Sequence, residues 1–386
     1  ETGLKGVNMS EVYFASARSR KWNYVYSLHA KLIEILKRIK IDTIINKDEY
    51  VAIKTHFGSD GSFRVIRPYF LKLISDKVKD SGGIPFVTDT RRIKTLEYLN
   101  VAHINGISHG NIGAPIIMAD GLYGKDAVVV KSGPILDRIA IASAIYDVPS
   151  MIVVSHCKGH IQSGYAGAIK NVSMGCVCSD ERFEGKKVSR GRLHAVDERS
   201  IGWNKSLCDF CEQCILVCPT QSLHNIDGKI VRDETCWMCL RCTRVCPTGA
   251  MYGTMSQKEF QLGIAEAAKA VLETFDKGKV LYINFLLDIQ PECDCMPTCD
   301  VPVVQDYGIL VSYDIVAIEQ ASLDYINKAI PLPGSYASDK EVSKGNSLLT
   351  AIHEGTMPQL AIDKMEEYGF GTKKYRIIEI EKLENK

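Results

Sequence analysis

The sequence predicts an α/β protein: a mostly parallel sheet with flanking helices, interrupted by an inserted cysteine-rich module. Three observations predict it. Apolar runs of strand length alternate with segments of helical apolar spacing, both before residue 202 and after residue 255. Glycine pairs and other turn signals separate these segments. Between the two parts lies a cysteine-rich stretch that nearly repeats itself.

In chain order, Tyr50–Thr55 reads as a strand, with Val51, Ile53 and Thr55 alternating against Ala52 and Lys54. Val65–Lys79 then reads as a helix, because Val65, Ile66, Tyr69, Phe70, Leu73, Ile74 and Val78 recur at helical spacing. Gly82-Gly83 ends it, and Ile84–Thr88 is the next strand. The pattern predicts a further strand at Ala127–Val130, a helix over Ile135–Tyr146 and a strand at Ser150–Ser155. After the module, Ser256–Phe275 reads as an amphipathic helix on Phe260, Leu262, Ile264, Val271 and Leu272. Lys279–Leu286 and Ile309–Ser312 read as strands and Asp314–Ala329 as a helix, while the polar tail Tyr336–Lys386 shows no clear pattern. Residues 9–202 and 256–386 are thus the two parts of one α/β body, and 203–255 is the insertion. Met9 is a candidate natural start, and no signal peptide follows it.

Composition narrows the class. The 47 basic and 46 acidic residues of the 386 leave a net charge of +1, which offers no basic face for nucleic acid and no polybasic membrane patch. No apolar run reaches the roughly 18–20 residues that span a bilayer. The 14 cysteines crowd into tight runs in a long chain, so metal binding in a reducing, cytoplasmic compartment is expected rather than disulfides.

The module carries C-x2-C-x2-C-x3-C-P twice. One copy is Cys208, Cys211, Cys214 and Cys218 before Pro219, and the other is Cys236, Cys239, Cys242 and Cys246 before Pro247. Three closely spaced cysteines can wrap one cubane, and the fourth, set off by proline, points to the other cluster. The expected ligand sets are Cys208, Cys211, Cys214 and Cys246 for one 4Fe–4S cluster and Cys236, Cys239, Cys242 and Cys218 for the second. Gln221 and Gly249 stand where the chain must turn after each Cys-Pro. Tetrahedral zinc would use two hooks and leave the other cysteines unexplained. From Ser206 to about Tyr252 the module resembles two-cluster ferredoxins, which implies an inserted α+β ferredoxin-type two-cluster domain.

A second site is expected in the α/β body. In open α/β sheets ligands sit outside the carboxyl ends of the strands. Lys54 and His56 follow one strand, and Asp89, Arg91 and Arg92 follow the next. His156, His160, Lys170 and Asn171 follow Met151–Val154 on a loop and first helical turn, where Gly164 and Gly167 would let backbone approach a ligand. Singly, each of these side chains is more commonly a solvated loop residue; three groups at three strand ends point to a crevice. His160, Lys170, His56 and Lys54 are the candidate catalytic residues, with Gly164, Gly167, Asn171 and Asp89 as candidate cofactor-binding positions. No phosphate-binding glycine loop is present.

Lys54-Thr-His-Phe-Gly58, His160 with Lys170-Asn171, Met174-Gly-Cys176, His194, Cys293-Asp-Cys295 and Asp314-x-Val316-Ala-Ile318-x-x-Ala321 together resemble domain-of-unknown-function family 362. That resemblance spans most of the chain and implies an iron–sulfur protein. A remoter similarity is to the nickel-pincer lactate racemase family, in which a histidine stands ten residues before the lysine that anchors the cofactor. His160 and Lys170 share that spacing, but Gly167-Ala168-Ile169 replaces the family's paired glycines and arginine, and that family lacks the module. The resemblance implies a shared architecture without the nickel cofactor.

Cys157, Cys176, Cys178, Cys293, Cys295 and Cys299 remain outside the two runs. Their ordinary role is that of buried thiols. Cys157, Cys176, Cys293 and Cys295, near strand ends beside Lys and His, form a candidate third site for a metal or another cofactor. The expectation is an iron–sulfur oxidoreductase in which two 4Fe–4S clusters link a redox partner protein to a small anionic ligand in the crevice. The alternatives are a non-catalytic electron-transfer subunit of a larger redox complex and a metallocentre assembly factor.

Overall fold

Ser150–His156 and Val280–Leu286 are buried along their whole lengths, as strands covered on both faces must be. Met151 and Val153 point into one apolar core, while Ile152 and Val154 point into another. These two strands are the centre of an eight-stranded sheet in the computed structural model, which describes residues 9–194, 201–218, 220–233, 236, 241–253, 257–343 and 347–384. The order across the sheet is Tyr375–Glu379, Ser10–Ser16, Gly308–Ser312, Val280–Leu286, Ser150–His156, Tyr50–Lys54, Ile84–Asp89, Ile116–Met118. All run one way except Gly308–Ser312, which is antiparallel to both neighbours. The protein is therefore α/β, with a mostly parallel mixed sheet.

Helices cover both faces. Ala168–Gly175, Gln257–Leu272, Ile315–Asn327 and Pro358–Glu367 bury their apolar sides in the first core. Leu28–Arg38, Pro68–Asp80 and Thr95–Ile104 do so in the second. Pro68 opens its helix at a position where the missing N–H costs nothing. Asp314 caps the Ile315–Asn327 helix by accepting from the Ala317 N–H at 2.9 Å, and also accepts from Ser10 Oγ at 2.6 Å. Among the described residues no helix is long and apolar enough to cross a membrane.

Several expectations are corrected. The helix expected over Ile135–Tyr146 is instead the strand Arg138–Ala142, paired with Ala127–Lys131 in a hairpin, followed by a short helix at Ser143–Tyr146. Asp137 takes a left-handed φ of 59°, which stops any helix there, and Ala140 completes its backbone bonding with Val188 and Cys178. The stretch after His156 is a hairpin, Lys158–His160 with Gly164–Ala166, rather than a loop. The tail supplies a sheet edge strand, Tyr375–Glu379, whose half-exposed alternation carries little apolar signal.

The module leaves and re-enters the body through one antiparallel pair, Ile201–Trp203 with Met251–Gly253. Within it lie the hairpin Leu223–Ile226 with Lys229–Arg232 and short helices Gln213–Leu216 and Arg241–Val245. Gln221 and Gly249 take left-handed φ of 54° and 68°, so the chain turns where the sequence required it. The small core holds Ile201, Leu223, Ile230 and Met251, and the rest of its lining is mostly cysteine.

Candidate functional site

Lys54, Asp89 and His156 stand at the carboxyl ends of three strands that all run the same way, so the sheet brings them to one rim. Lys54 Nζ lies 3.0 Å from Asp89 Oδ1 and donates to Asn171 Oδ1 at 2.7 Å. The Asn171 amide in turn donates to Val154 O and Ser155 Oγ, both at 3.0 Å, so it ties the helix after the hairpin to the strand end. Asp89 Oδ2 receives Tyr98 Oη at 2.6 Å and faces His56 Nδ1 at 2.9 Å.

Burial would raise the Asp89 carboxyl, but the Lys54 charge and the His56 and Tyr98 contacts hold it well below the usual carboxylate range. Burial pushes the His56 imidazole down against the pull of Asp89. A neutral His56 that donates Nδ1–H to Asp89 leaves a lone pair on Nε2, a buried atom with no hydrogen-bond partner. Acid stability tests this balance. Asp89 and His56 both sit below their unfolded values of roughly 3.9 and 6.5, so the unfolded chain takes up protons more readily as pH falls. Stability is expected to decline below about pH 6 and steeply below about pH 4. Urea midpoints measured from neutral pH downward should show both limbs, and Asp89→Asn should flatten the lower one.

The next strand end carries a second network. The Asp294 carboxylate lies 2.9 Å from His156 Nδ1, accepts from Lys158 Nζ at 2.7 Å and accepts from Gln290 Nε2 at 3.1 Å. His156 Nε2 lies 2.8 Å from Leu287 O. Burial opposes the Asp294 charge, yet His156 and Lys158 hold the carboxyl far below its ordinary range. Its side chain is 1% exposed. Sequence reasoning missed Asp294 as a site residue; the acid between Cys293 and Cys295 was the available signal.

Above Asp294 the flanking thiols meet His160 and Lys170. His160, Cys293 and Cys295 each bring one ligand-type atom within 4.8 Å of the others, a nitrogen–sulfur set of a kind that can hold a metal ion. Lys170 Nζ lies 3.6 Å from Cys293 Sγ. The Cys293 thiol is pushed up to about 11 by its hydrogen bond to Cys295 and by burial, against the charges of Lys170 and His160. His160 Nδ1 accepts from the Gln162 and Ser163 N–H groups at 3.2 and 3.1 Å, and its ring stacks on Phe260. Arg92 braces the far side by donating to Cys295 O at 2.8 Å and Gly58 O at 3.2 Å.

Cys157 and Cys176 fall outside this group. Both lie in the larger apolar core, where burial raises each thiol to about 12. Cys157 instead faces Tyr165 Oη at 3.3 Å. The room a side chain would need at Gly164 is filled by Thr356, and at Gly167 by Glu319 and Tyr165, so both glycines serve close packing within the protein.

One cavity of about 270 Å³ joins these parts. Lys54, His56, His160 and Lys170 line it together with Asp89, Gly167 and Asn171, whereas Gly164 does not. Cys293 and Cys295 also line it. Val217, Arg241 and Val245 of the module also line it. Each is the chain neighbour of a candidate cluster ligand: Cys218, Cys242 and Cys246. Lys187 of the body also bonds the Cys236 carbonyl.

Within the module, Cys208, Cys214, Cys218, Cys236, Cys242 and Cys246 pack in one small core. Cys218 Sγ and Cys246 Sγ are each met by a backbone N–H at 3.3 Å, from Ser222 and Met251. Cys239 lies outside the described residues.

The chain is similar to the structure of the lactate racemase apoprotein from Thermoanaerobacterium thermosaccharolyticum, with 11% identity and a TM-score of 0.34 over 72% of this chain and 51% of that one. It thus spans about half the length of that relative. No curated protein matches the chain. The family described as Domain of unknown function (DUF362) matches residues 51–324, a span that takes in both strand-end networks, the module and the Cys293–Cys295 turn, and the chain belongs to that family.

Proposed function

We propose that this protein is an iron–sulfur oxidoreductase that passes electrons between a redox partner and a small anionic ligand held in the crevice. The observation that carries this reading is the shared cavity. Lys54, His56, His160 and Lys170 of the body line it together with chain neighbours of Cys218, Cys242 and Cys246 in the module. The twice-repeated C-x2-C-x2-C-x3-C-P run supports two 4Fe–4S clusters. Cys246 comes from the second cysteine run yet packs in the same small core as Cys208 and Cys214, as crossed ligation requires. Cys208, Cys211, Cys214 and Cys246 would hold one cluster, and Cys218, Cys236, Cys239 and Cys242 the other. When bound, such clusters would supply electrons one at a time.

The chain's own residues do the rest. Lys170 offers an ammonium to the ligand, and His56 Nε2 offers a buried lone pair that takes or returns a proton. Lys54 and Asn171 tie the strand end to the helix Ala168–Gly175 at the rim. Anaerobic preparations are expected to contain about eight irons per chain with matching sulfide; zinc in their place overturns the assignment. Lys170→Ala and His160→Ala should keep that iron and weaken binding of malonate, a small dianion, roughly ten-fold or about 1.4 kcal/mol by calorimetry. Unchanged malonate binding in both variants would remove the crevice from the proposal.

A second reading, an electron-transfer subunit of a larger complex, is favoured by the module's outer surface. Leu207, Phe210, Leu216, Ile226 and Tyr252 are all exposed there. A stable partner that copurifies, with no turnover by the chain alone, would select it.

A further inference from the structure

We propose that Cys293 and Cys295 are a redox-active dithiol that reduces a small anionic disulfide in the cavity, an inference that rests on the oxidoreductase reading of the same crevice. Geometry makes the pair. Met296 N donates to Cys293 O at 2.9 Å, which closes a tight turn over Cys293–Met296. Asp294 points down from that turn into its buried anchors, His156 and Lys158. The flanking sulfurs therefore face the cavity, with the Cys295 N–H 3.3 Å from Cys293 Sγ. Cys293 is 3% exposed, whereas Cys295 is half-buried and is the one open to a ligand.

The surroundings favour thiol chemistry over a metal ion. A metal-bound histidine commonly donates its second ring N–H to an acceptor. His160 does the reverse, because Nδ1 accepts two backbone N–H bonds. Its ring proton therefore sits on Nε2, where a ligating lone pair would have to be. His160 is a proton donor beside the thiols, and Lys170 is a cation 3.6 Å from Cys293 Sγ. Both stabilise sulfur as a thiolate and can return protons to it. Cys295, the more exposed sulfur of the pair, is the nucleophile, and buried Cys293 is the resolving thiol.

The step balances as ordinary thiol–disulfide exchange. The Cys295 thiolate attacks a substrate sulfur, the substrate S–S bond breaks and one thiolate leaves. Cys293 loses its proton to the leaving sulfur and attacks Cys295, which forms the Cys293–Cys295 bond and releases the second thiolate. The substrate disulfide is reduced by two electrons and the dithiol is oxidised by two. Two electrons from an external one-electron reductant of the redox-partner class, with two protons by way of His160 and Lys170, restore it.

The test uses the full chain and dithiobis(nitrobenzoate), a dianionic disulfide whose released thiolate is coloured. Expected is a fast phase releasing two thiolates per chain, with a Cys293–Cys295 link found by peptide mass mapping. Cys293→Ser should release one and retain a mixed disulfide on Cys295. Cys295→Ser and Cys295→Ala should lose the fast phase, and Lys170→Ala should slow it roughly ten-fold. Cys299→Ser should react as the parent does. Circular dichroism establishes that each variant is folded.

Failure of the link to form in the folded parent chain overturns the dithiol. So does a stoichiometric metal ion lost in both Cys293→Ser and Cys295→Ser. Iron content separates the two readings. A link without cluster iron sinks the relay and leaves the dithiol, and full iron without a link does the opposite.

Discussion

Asp294→Asn is expected to cost about 3–5 kcal/mol of folding stability, the largest effect of any single substitution in the crevice. The carboxylate is the counter-charge of Lys158 and a contact of the His156 ring, and those side chains are 7% and 4% exposed. Asparagine keeps the size and removes the charge, so a buried ammonium is left without its ion. Burial pulls Lys158 down and only Asp294 and its neighbours bring it up, so the variant should also bind protons less tightly at that site. Denaturant unfolding measures the loss. Exposed Asp300→Asn, six residues on in the same loop, should stay within about 0.5 kcal/mol. A loss below about 1 kcal/mol for Asp294→Asn would mean that water reaches the pair. The same variant bears on chemistry, because Asp294 is the anchor of the turn that presents Cys293 and Cys295.

Stripping iron with a chelator under reducing conditions is expected to unfold the module and leave the sheet intact. The module's core has Ile201, Leu223, Ile230 and Met251 as its main apolar content, and cysteine sulfurs line much of the remainder. A core that small does not outweigh chain entropy without a staple. The body has two large apolar cores of its own and should not notice. Amide hydrogen exchange should accelerate at least roughly a thousand-fold across residues 201–253 and remain slow in Ser150–His156 and Val280–Leu286. Cys214→Ser and Cys242→Ser, each removing a buried thiol, should give the same pattern without chelator. Protection that survives iron removal would show that the module folds on its apolar residues alone.

How much of this was legible beforehand depends on the range of the interactions involved. Tyr50–Thr55, Ile84–Thr88 and Ser150–Ser155 were readable because burial on both faces demands a short apolar run, and each was placed within a residue or so of its observed span. Arg138–Ala142 was not. Its apolar residues lie in a longer apolar stretch, Ile135–Tyr146, that is long enough for a helix, and it became a strand because the hairpin partner, Val188 and Cys178 took up its backbone groups. Tyr375–Glu379 was unreadable for a related reason: an edge strand buries only part of one face, so its sequence stays mixed.

The site divides in the same way. The sequence by itself determined the eight-cysteine pattern and its turns, and the expectation that Lys54, His56, Asp89, His160 and Lys170 lie outside strand ends. Those features are set by spacing along a few residues and by the direction of parallel strands. Only the tertiary structure decided which thiols belong together. Cys157 and Cys176 looked equivalent to Cys293 and Cys295 in the chain, but the fold buried the first two in the apolar core and set the second two beside His160 and Lys170. It also paired Asp294 with His156 across the sheet rim and set the module's Val217, Arg241 and Val245 against the cavity. Contacts of this kind join residues more than a hundred positions apart, and no local pattern encodes them, because each is fixed by the packing of the whole sheet.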